Sequence, residues 1–416
     1  MNSPLDLNLR HLDAVATAGR LGSISAASQA MNLSQPALTQ AVGKVEARLG
    51  HKLFDRQPGG VVPTEAGRLI IARIDRALAY VERGGQRIRR GARLPPLPHI
   101  ERRITLGQLR ALIAVDDAGN FALASARTGL SQPALHRAAR DLERLLGVDL
   151  LTRQGRTVRP TPASARLLRY ARLAHAELQA GIDELAALRE QGAGRITVGT
   201  MPLARALLLP QALARFARAN PRASVNVVEG PYGELLSSLR QGELDLLIGA
   251  MRDPLPTGDV RQEGLIVDDP VIVGRAGHPL LQEPGFAFPR LLDFPWVIAA
   301  PGAPVRRRWE QMFAERGIAP PRLRIECGSV LVVRGLMLED DWLTLMSPDQ
   351  FVFERRAGLL AEIPGAGTTL RRKIGLTVRD DWRPTLLQAE FVDTFRAVCA
   401  EWTSVKAMEH DPFRYA

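Results

Sequence analysis

Cysteine is almost missing from this chain: two of its 416 residues, Cys327 and Cys399. Two thiols cannot build a disulfide framework, and both are expected to be buried and unreactive. No apolar run approaches the roughly 18 uncharged residues that cross a membrane. The opening MNSPLDLNLRHLD has no basic segment followed by an apolar one, so a cytoplasmic protein is expected. Neither a G-x-x-x-x-G-K-[ST] nor a G-x-G-x-x-G loop occurs, so no nucleotide cradle is visible. The seven histidines are scattered, without metal-ligand spacing to cysteine or carboxylate. No nucleophile motif stands out, and Glu339-Asp340-Asp341 reads as a solvated helix end. No catalytic residue, metal or cofactor is therefore expected. The remaining composition, 46% apolar and 24% charged, excludes wholesale disorder. The length suits roughly two to four domains.

Positive charge is also missing from one half. The chain carries a net +11; residues 1–194 hold 28 Lys and Arg against 17 Asp and Glu, and residues 195–416 hold 27 of each. A polyanion would be drawn to the first half and not to the second. Nearly all of the excess is arginine, which suits bidentate contacts with phosphate and guanine. A solvated, arginine-rich helix surface would leave the same mark.

The basic half repeats itself. SQPAL stands at 34–38 and again at 131–135, an offset of 97 residues. At that offset Leu9, Leu12 and Val15 match Leu106, Leu109 and Leu112, and Gly22, Leu49, Gly50, Leu53 and Arg56 match Gly119, Leu146, Gly147, Leu150 and Arg153. Such internal identity marks two copies of one module.

Each copy reads as helices joined by short turns. Leu9, Leu12, Val15 and Ala16 recur at helical spacing. A short second helix, Ser25–Met31, is rich in small residues that let another helix cross closely. Asn32 in copy one and Gly129 in copy two share one position, and both tolerate the positive φ of a tight helix-helix turn. Ser34 and Ser131 then serve as N-caps, with Pro36 and Pro133 in the first helical turn. Leu38, Val42, Val45 and Leu49 form the buried stripe of the third helix. After it, Leu53-Phe54 starts a strand, Pro58-Gly59-Gly60 turns, and Val61-Val62 returns. This is a helix-turn-helix with a two-stranded wing.

Such a third helix lies in the DNA major groove with its N-terminal residues at base edges. Gln35 and Gln40 suit adenine, Thr39 a thymine methyl, and Lys44 and Arg56 the phosphates. In copy two the face shows Gln132, His136, Arg137 and Arg140, with Arg153, Arg156 and Arg159 around the wing. Arg137 suits guanine. Asp141, standing where copy one has Lys44, would repel the backbone, so copy two reads as a second DNA contact, or else as a spacer or dimerisation module.

The run from Leu9 through GSISAASQAMNLSQPALTQAVGKVEARLGHKLFDR to PTEAG resembles the N-terminal domain of LysR-type transcriptional regulators, and residues 106–164 resemble it again. Copy two departs at 161–164, TPAS where copy one has TEAG. The family's usual plan is one such domain and a long linker helix, so the resemblance implies a tandem variant. The boundaries read as 1–67 for copy one, 68–91 for a linker helix, 92–104 for a stiff proline-rich linker, 105–162 for copy two, 163–194 for a second linker helix and hinge, and 195–416 for the rest. The resemblance implies that such a helix pairs two chains, and packing on its own chain's module fits the same stripe.

From Arg195 the pattern changes to alternating strands and helices, which implies a parallel sheet with ligand sites at the carboxyl ends of its strands. Those ends fall at Gly199-Thr200-Met201, Glu229-Gly230 and Gly249-Ala250-Met251. A second unit runs from about Ile266 to Pro364, and RKIGLTV (372–378) with the helix Leu386–Trp402 returns to the first. GELDLLIG and the HPL at 278–280 resemble the effector-binding domain of the same regulators, itself similar to periplasmic solute-binding proteins. The implied fold is thus two winged helix-turn-helix modules and a two-lobed α/β domain, with lobe I at about 195–265 and 366–405 and lobe II at about 266–365. Thr200, Met201, Pro202, Met251, Pro301 and Ser329 are the expected effector contacts, with an arginine from the loop Pro301–Arg306.

The expected function is a ligand-responsive DNA-binding regulator. Its expected partners are double-stranded DNA, a small effector of anionic, aromatic or sugar-derived chemistry, further copies of itself and RNA polymerase, with no membrane. Two other functions fit the same residues: an architectural DNA-binding protein without effector response, and a solute-binding α/β protein whose helical modules only oligomerise.

Overall fold

Three polar side chains start the first three helices. Asn8 Oδ1 accepts from the backbone of Arg10 and His11, Ser23 Oγ from Ala26, and Ser34 Oγ from Ala37. Each cap satisfies a donor that the first helical turn leaves open. The computed structural model describes residues 4–155, 157–190, 192–201, 208–364 and 371–409, with side chains to 403. It divides into two units, residues 1–195 with 240–243, and residues 196–239 with 244–416.

In the first unit, copy one comprises α1 (Leu9–Leu21), α2 (Ile24–Ala30), α3 (Gln35–Leu49), β1 (Phe54–Gln57), β2 (Gly60–Pro63) and the long α4 (Glu65–Gly91). A short α5 (Ile100–Arg103) leads into copy two: α6 (Leu106–Ala118), α7 (Phe121–Thr128), α8 (Gln132–Leu146), β3 (Leu151–Gln154), β4 (Thr157–Pro160) and the long α9 (Pro162–Arg189). The copies agree bond by bond. Val61 N donates to Gly22 O at 2.9 Å, and Val158 N to Gly119 O at 2.8 Å. Leu53 N donates to Glu46 Oε1 at 2.7 Å, and Leu150 N to Glu143 Oε1 at 2.9 Å. Asn32 and Gly129 take the positive φ, 52° and 71°, that the turn requires.

Two sequence expectations gain detail here. The segment 92–104, read as a stiff proline-rich linker, also packs against its unit. Ile100 and Ile104 are buried in the unit's core, and Gln86 clamps Leu97 by donating to its carbonyl at 2.7 Å and accepting from its N–H at 3.2 Å. Burying the two isoleucines is worth about 1.5–3 kcal/mol each, more than a stiff spacer would need. The long helices, read as pairing two chains or as packing on their own chain, pair with each other inside one chain. Arg73 of α4 meets Glu177 and Glu184 of α9, while Gly84 lies against Leu167 and Tyr170. Partner numbers fall along α9 as they rise along α4, so the helices run antiparallel.

The second unit begins β5 (Gly194–Thr200), α10 (Leu208–Ala219), β6 (Ala223–Glu229), α11 (Tyr232–Gln241), β7 (Leu246–Ala250) and β8 (Val260–Asp268). There follow β9 (Val271–Arg275), β10 (Val297–Ile298), α12 (Pro304–Ala314), β11 (Ile325–Glu326), α13 (Val330–Glu339), β12 (Thr344–Met346), α14 (Val352–Arg356), β13 (Leu360–Glu362), β14 (Arg372–Arg379) and α15 (Leu386–Glu409). The first lobe's sheet has the order β6-β5-β7-β14-β8. β5 and β7 are parallel as expected. β14 is antiparallel to both β7 and β8, because the chain re-enters from the second lobe and runs back along the strands it left. The second lobe has an antiparallel β12-β9-β13 sheet and a parallel β10-β11 pair. Its core closes on Trp296, Trp309 and Phe313, whose ring centroids lie 5.4 to 5.9 Å apart.

Candidate DNA interface and ligand pocket

The third helix of each copy presents a polar, solvent-facing N-terminal turn. Ser34, Gln35, Pro36, Thr39, Gln40 and Lys44 are exposed on α3, and Arg56 is exposed on the wing. Behind them Leu38, Ala41, Val42 and Val45 are buried, which fixes the helix against the module. The Thr39 hydroxyl donates back to Gln35 O at 2.9 Å, so its methyl is the part left for a partner. Gln132, Arg137 and Arg153 are exposed at the matching places of copy two.

Two copy-two residues differ from expectation. His136 is half-buried and stacks on Phe121 with ring centroids 3.6 Å apart, so it can offer DNA an edge and not a face. Burial, and then Arg153 and Arg140, hold its pKa below the ordinary value. Asp141 is paired with Arg144 one turn on, so the repulsion expected of it is neutralised locally. Arg156 lies outside the described residues.

In the second unit a cavity of about 820 Å³ opens between the lobes. Met201, Pro301 and Ser329 line it, as expected. Thr200 does not: it is fully buried, and its hydroxyl donates to Met201 O at 3.3 Å. The strand's alternation turns Thr200 into the core. Met251 is not a lining residue either and packs near Gly264. Pro202 lies outside the described residues. Arg306, the arginine expected from the loop, is taken by Glu310 at 2.7 Å and Glu326 at 2.9 Å.

The pocket's arginine comes from elsewhere. Arg252, just past the end of β7, lines the cavity and stacks on Tyr232 at 4.3 Å. Its Nη1 and the Tyr232 hydroxyl are buried and have no hydrogen-bond partner among the described residues. Burial, with Arg307 and Arg372 nearby, holds the Arg252 pKa below its ordinary value despite the tyrosine. The first charged side chain after β7 was the signal available in the sequence. The first residues of α11, α12 and α13 also line the cavity, and neither Ala303 nor Ser329 caps its helix with a side chain. Open helix N-termini and a half-buried arginine together favour an anion. Cys327, expected to be buried, is half-buried and lines the same cavity.

Helix-turn-helix modules on an arginine-rich body, followed by a two-lobed domain with a cleft between its lobes, define a DNA-binding regulator that responds to a small molecule. The family model for the LysR substrate binding domain matches residues 189–400, and that for the bacterial regulatory helix-turn-helix protein of the lysR family matches 9–68 and 106–165. The chain belongs to the LysR family of transcriptional regulators. It is 31% identical over 372 residues to the HTH-type transcriptional regulator GalR of Pseudomonas putida, covering 89% of this chain and 92% of the relative. It is 27% identical to PcaQ of Agrobacterium fabrum over 302 residues, 73% of this chain and 97% of that one. These relatives are transcriptional regulators and not enzymes. Among solved structures, a full-length OxyR variant from Pseudomonas aeruginosa shares the fold at 22% identity, with a TM-score of 0.55 over 71% of this chain and 94% of that one. CbnR does so at 22% identity, with a TM-score of 0.51 over 70% and 98%.

Proposed function

We propose that both modules are DNA-reading heads and that the effector is a small organic anion held by Arg252. On this reading α3 enters the major groove with Gln35, Thr39 and Gln40 at base edges, seated by Lys44 and Arg56 on phosphates. α8 enters with Gln132 and Arg137, the His136 edge and Arg153 beside them. The layout follows the element order: a module, a long helix, a second module, a second long helix and the effector domain, working in the cytoplasm as an oligomer.

The observation that carries the effector reading is Arg252, a half-buried lining residue of a cavity onto which three helices open, whose Nη1 is buried without a hydrogen-bond partner among the described residues. A carboxylate there would supply the missing acceptor and relieve the crowding of Arg252, Arg307 and Arg372. The apolar lining from Met201, Ile298 and Val330 suits an aromatic or sugar-ring body. Binding changes DNA occupancy only if the two arrangements of the protein differ in affinity for the ligand.

A nuclease footprint on DNA upstream of the protein's own gene, at one stated salt concentration, tests the heads. Wild type is compared with Gln35→Ala/Thr39→Ala and with Gln132→Ala/Arg137→Ala. Loss of a different half by each variant is the expected result. Loss only with the first makes copy two a spacer.

A further inference from the structure

Gly84 and Gly181 occupy the same position of the repeat, 97 residues apart, and each is pressed against the other copy's long helix. A Cβ on Gly84 would lie 2.8 Å from Tyr170 and 3.3 Å from Leu167; one on Gly181 would lie 2.7 Å from Ile70 and 3.1 Å from Arg73. Ile70 and Arg73 are the repeat counterparts of Leu167 and Tyr170. Residue i meets j, and the counterpart of j meets the counterpart of i, which is the contact pattern of a two-fold axis. The modules themselves are tied across it. Arg189 of α9 donates to Leu49 O at the end of α3 at 3.3 Å, and Arg89 of α4 donates to Leu146 O at the end of α8 at 3.1 Å.

The axis joins unlike halves. Arg73 pairs with Glu177 at 3.0 Å, and the symmetry-related contact is Tyr170 against Tyr80 with centroids 6.5 Å apart. If α4 met another α4, position 73 would face position 80 twice, arginine against tyrosine. If α9 met another α9, Glu177 would be buried against tyrosine with neither Arg73 nor Arg76 beside it. A second place repeats the choice. Buried Asp13 pairs with Arg102 at 2.8 Å, and its counterpart Arg110 pairs with Asp6. Like copies would set Asp13 against Leu5 and Asp6, and Arg110 against Arg102 and Arg103, with no opposite charge at either place.

We infer that the two copies are each other's partner within one chain, and that a single chain reads a two-part operator. The operator is inverted in geometry and unlike in sequence. This rests on the reading of both modules as DNA heads. The shared Gln35 and Gln132 ask for the same base in each half, while Gln40 faces the position that Arg137 faces in the other, adenine against guanine. Lys44 and Asp141 differ likewise.

Two experiments on the full chain decide it. Gly84→Cys/Tyr170→Cys, with Cys327 and Cys399 replaced by serine, is oxidised with copper phenanthroline and run on a non-reducing gel. A monomer of altered mobility, insensitive to tenfold dilution, is expected; a covalent dimer overturns the pairing. The second needs no change at the packed interface. Gln35→Ala/Thr39→Ala and Gln132→Ala/Arg137→Ala chains are co-expressed and titrated on a DNA carrying one two-part site. Each alone should bind about 10²-fold more weakly than wild type, and the mixture should recover nothing. Recovery toward wild-type affinity means heads on separate chains combine, and overturns single-chain reading. If wild type binds no DNA, the head reading fails and the operator with it, while the crosslink still decides the pairing.

Discussion

Arg73 donates to Glu177 at 3.0 Å and to Glu184 at 2.5 Å, and all three side chains are almost wholly shielded from water. Burial lowers the Arg73 pKa, and the hydrogen bonds and charges of the two glutamates outweigh it, so the net shift is upward. A buried charge cluster is stable only while it is complete. Arg73→Met should therefore cost about 3–5 kcal/mol by stranding the Glu184 carboxylate and leaving Glu177 to Arg76 alone, at 2.7 Å. Urea unfolding followed by hydrogen exchange should show the loss in residues 4–190 and leave the second unit's transition in place. A loss shared by both units would show that the cluster is not local to the helix pair.

The two thiols should separate in reactivity. Cys399 is buried in an apolar core, which pushes its pKa up to about 12, so it offers almost no thiolate. Cys327 lines the cavity. Iodoacetamide followed by mass spectrometry should give one adduct, at Cys327, on native protein and two after urea. An anion that fills the cavity should slow the first. Equal rates at both sites would contradict the burial.

Most of the first unit was legible because its signals are local. A serine cap, a proline beside it and an Asn or Gly at one repeated position fix α3 and α8 with little help from the rest of the chain. What the repeat could not reveal was which long helix meets which. The apolar stripes of α4 and α9 suit either a twin or each other, and the decision lies in Arg73, Glu177, Tyr80 and Tyr170, which carry no signal until placed side by side. The effector pocket was half legible. A strand end located Met201, a loop Pro301 and a helix start Ser329, but whether Thr200 or Met251 points inward depends on side-chain alternation where a strand ends. A slip of one position, from Met251 to Arg252, hid the charged group.

Acid should loosen the protein through its histidines. Burial lowers the pKa of His175 from 6.5, with Arg195 adding to the effect. Burial does the same first for His11, His51, His136 and His278. Below about 6.5 the unfolded chain binds protons at rings that the folded chain keeps neutral. This contribution is complete above that pH and is lost as pH falls toward and through the lowered values. Urea midpoints at about pH 7.5 and about pH 5.5 should differ, with the lower pH less stable, and His175→Gln should narrow the gap. A gap unchanged in that variant would assign the effect to other groups.

Arg252 should decide which ligands bind. It is the half-buried cation of the cavity whose Nη1 has no acceptor among the described residues, so a carboxylate gains a charge-assisted hydrogen bond there. Such a bond is worth about 1.5–3 kcal/mol, or roughly 10- to 150-fold in affinity. Benzoate and glucuronate serve as aromatic and sugar-derived probes, and benzamide as an uncharged control. Wild type should be stabilised in a thermal shift assay by at least one of the acids and not by benzamide. Arg252→Met should lose that stabilisation. Met251→Ala, one residue away and outside the lining, should keep it. If Arg252→Met binds the acid as well as wild type does, the anion is held by the helix N-termini alone, and Arg252 serves to fix Tyr232 through their stacking at 4.3 Å.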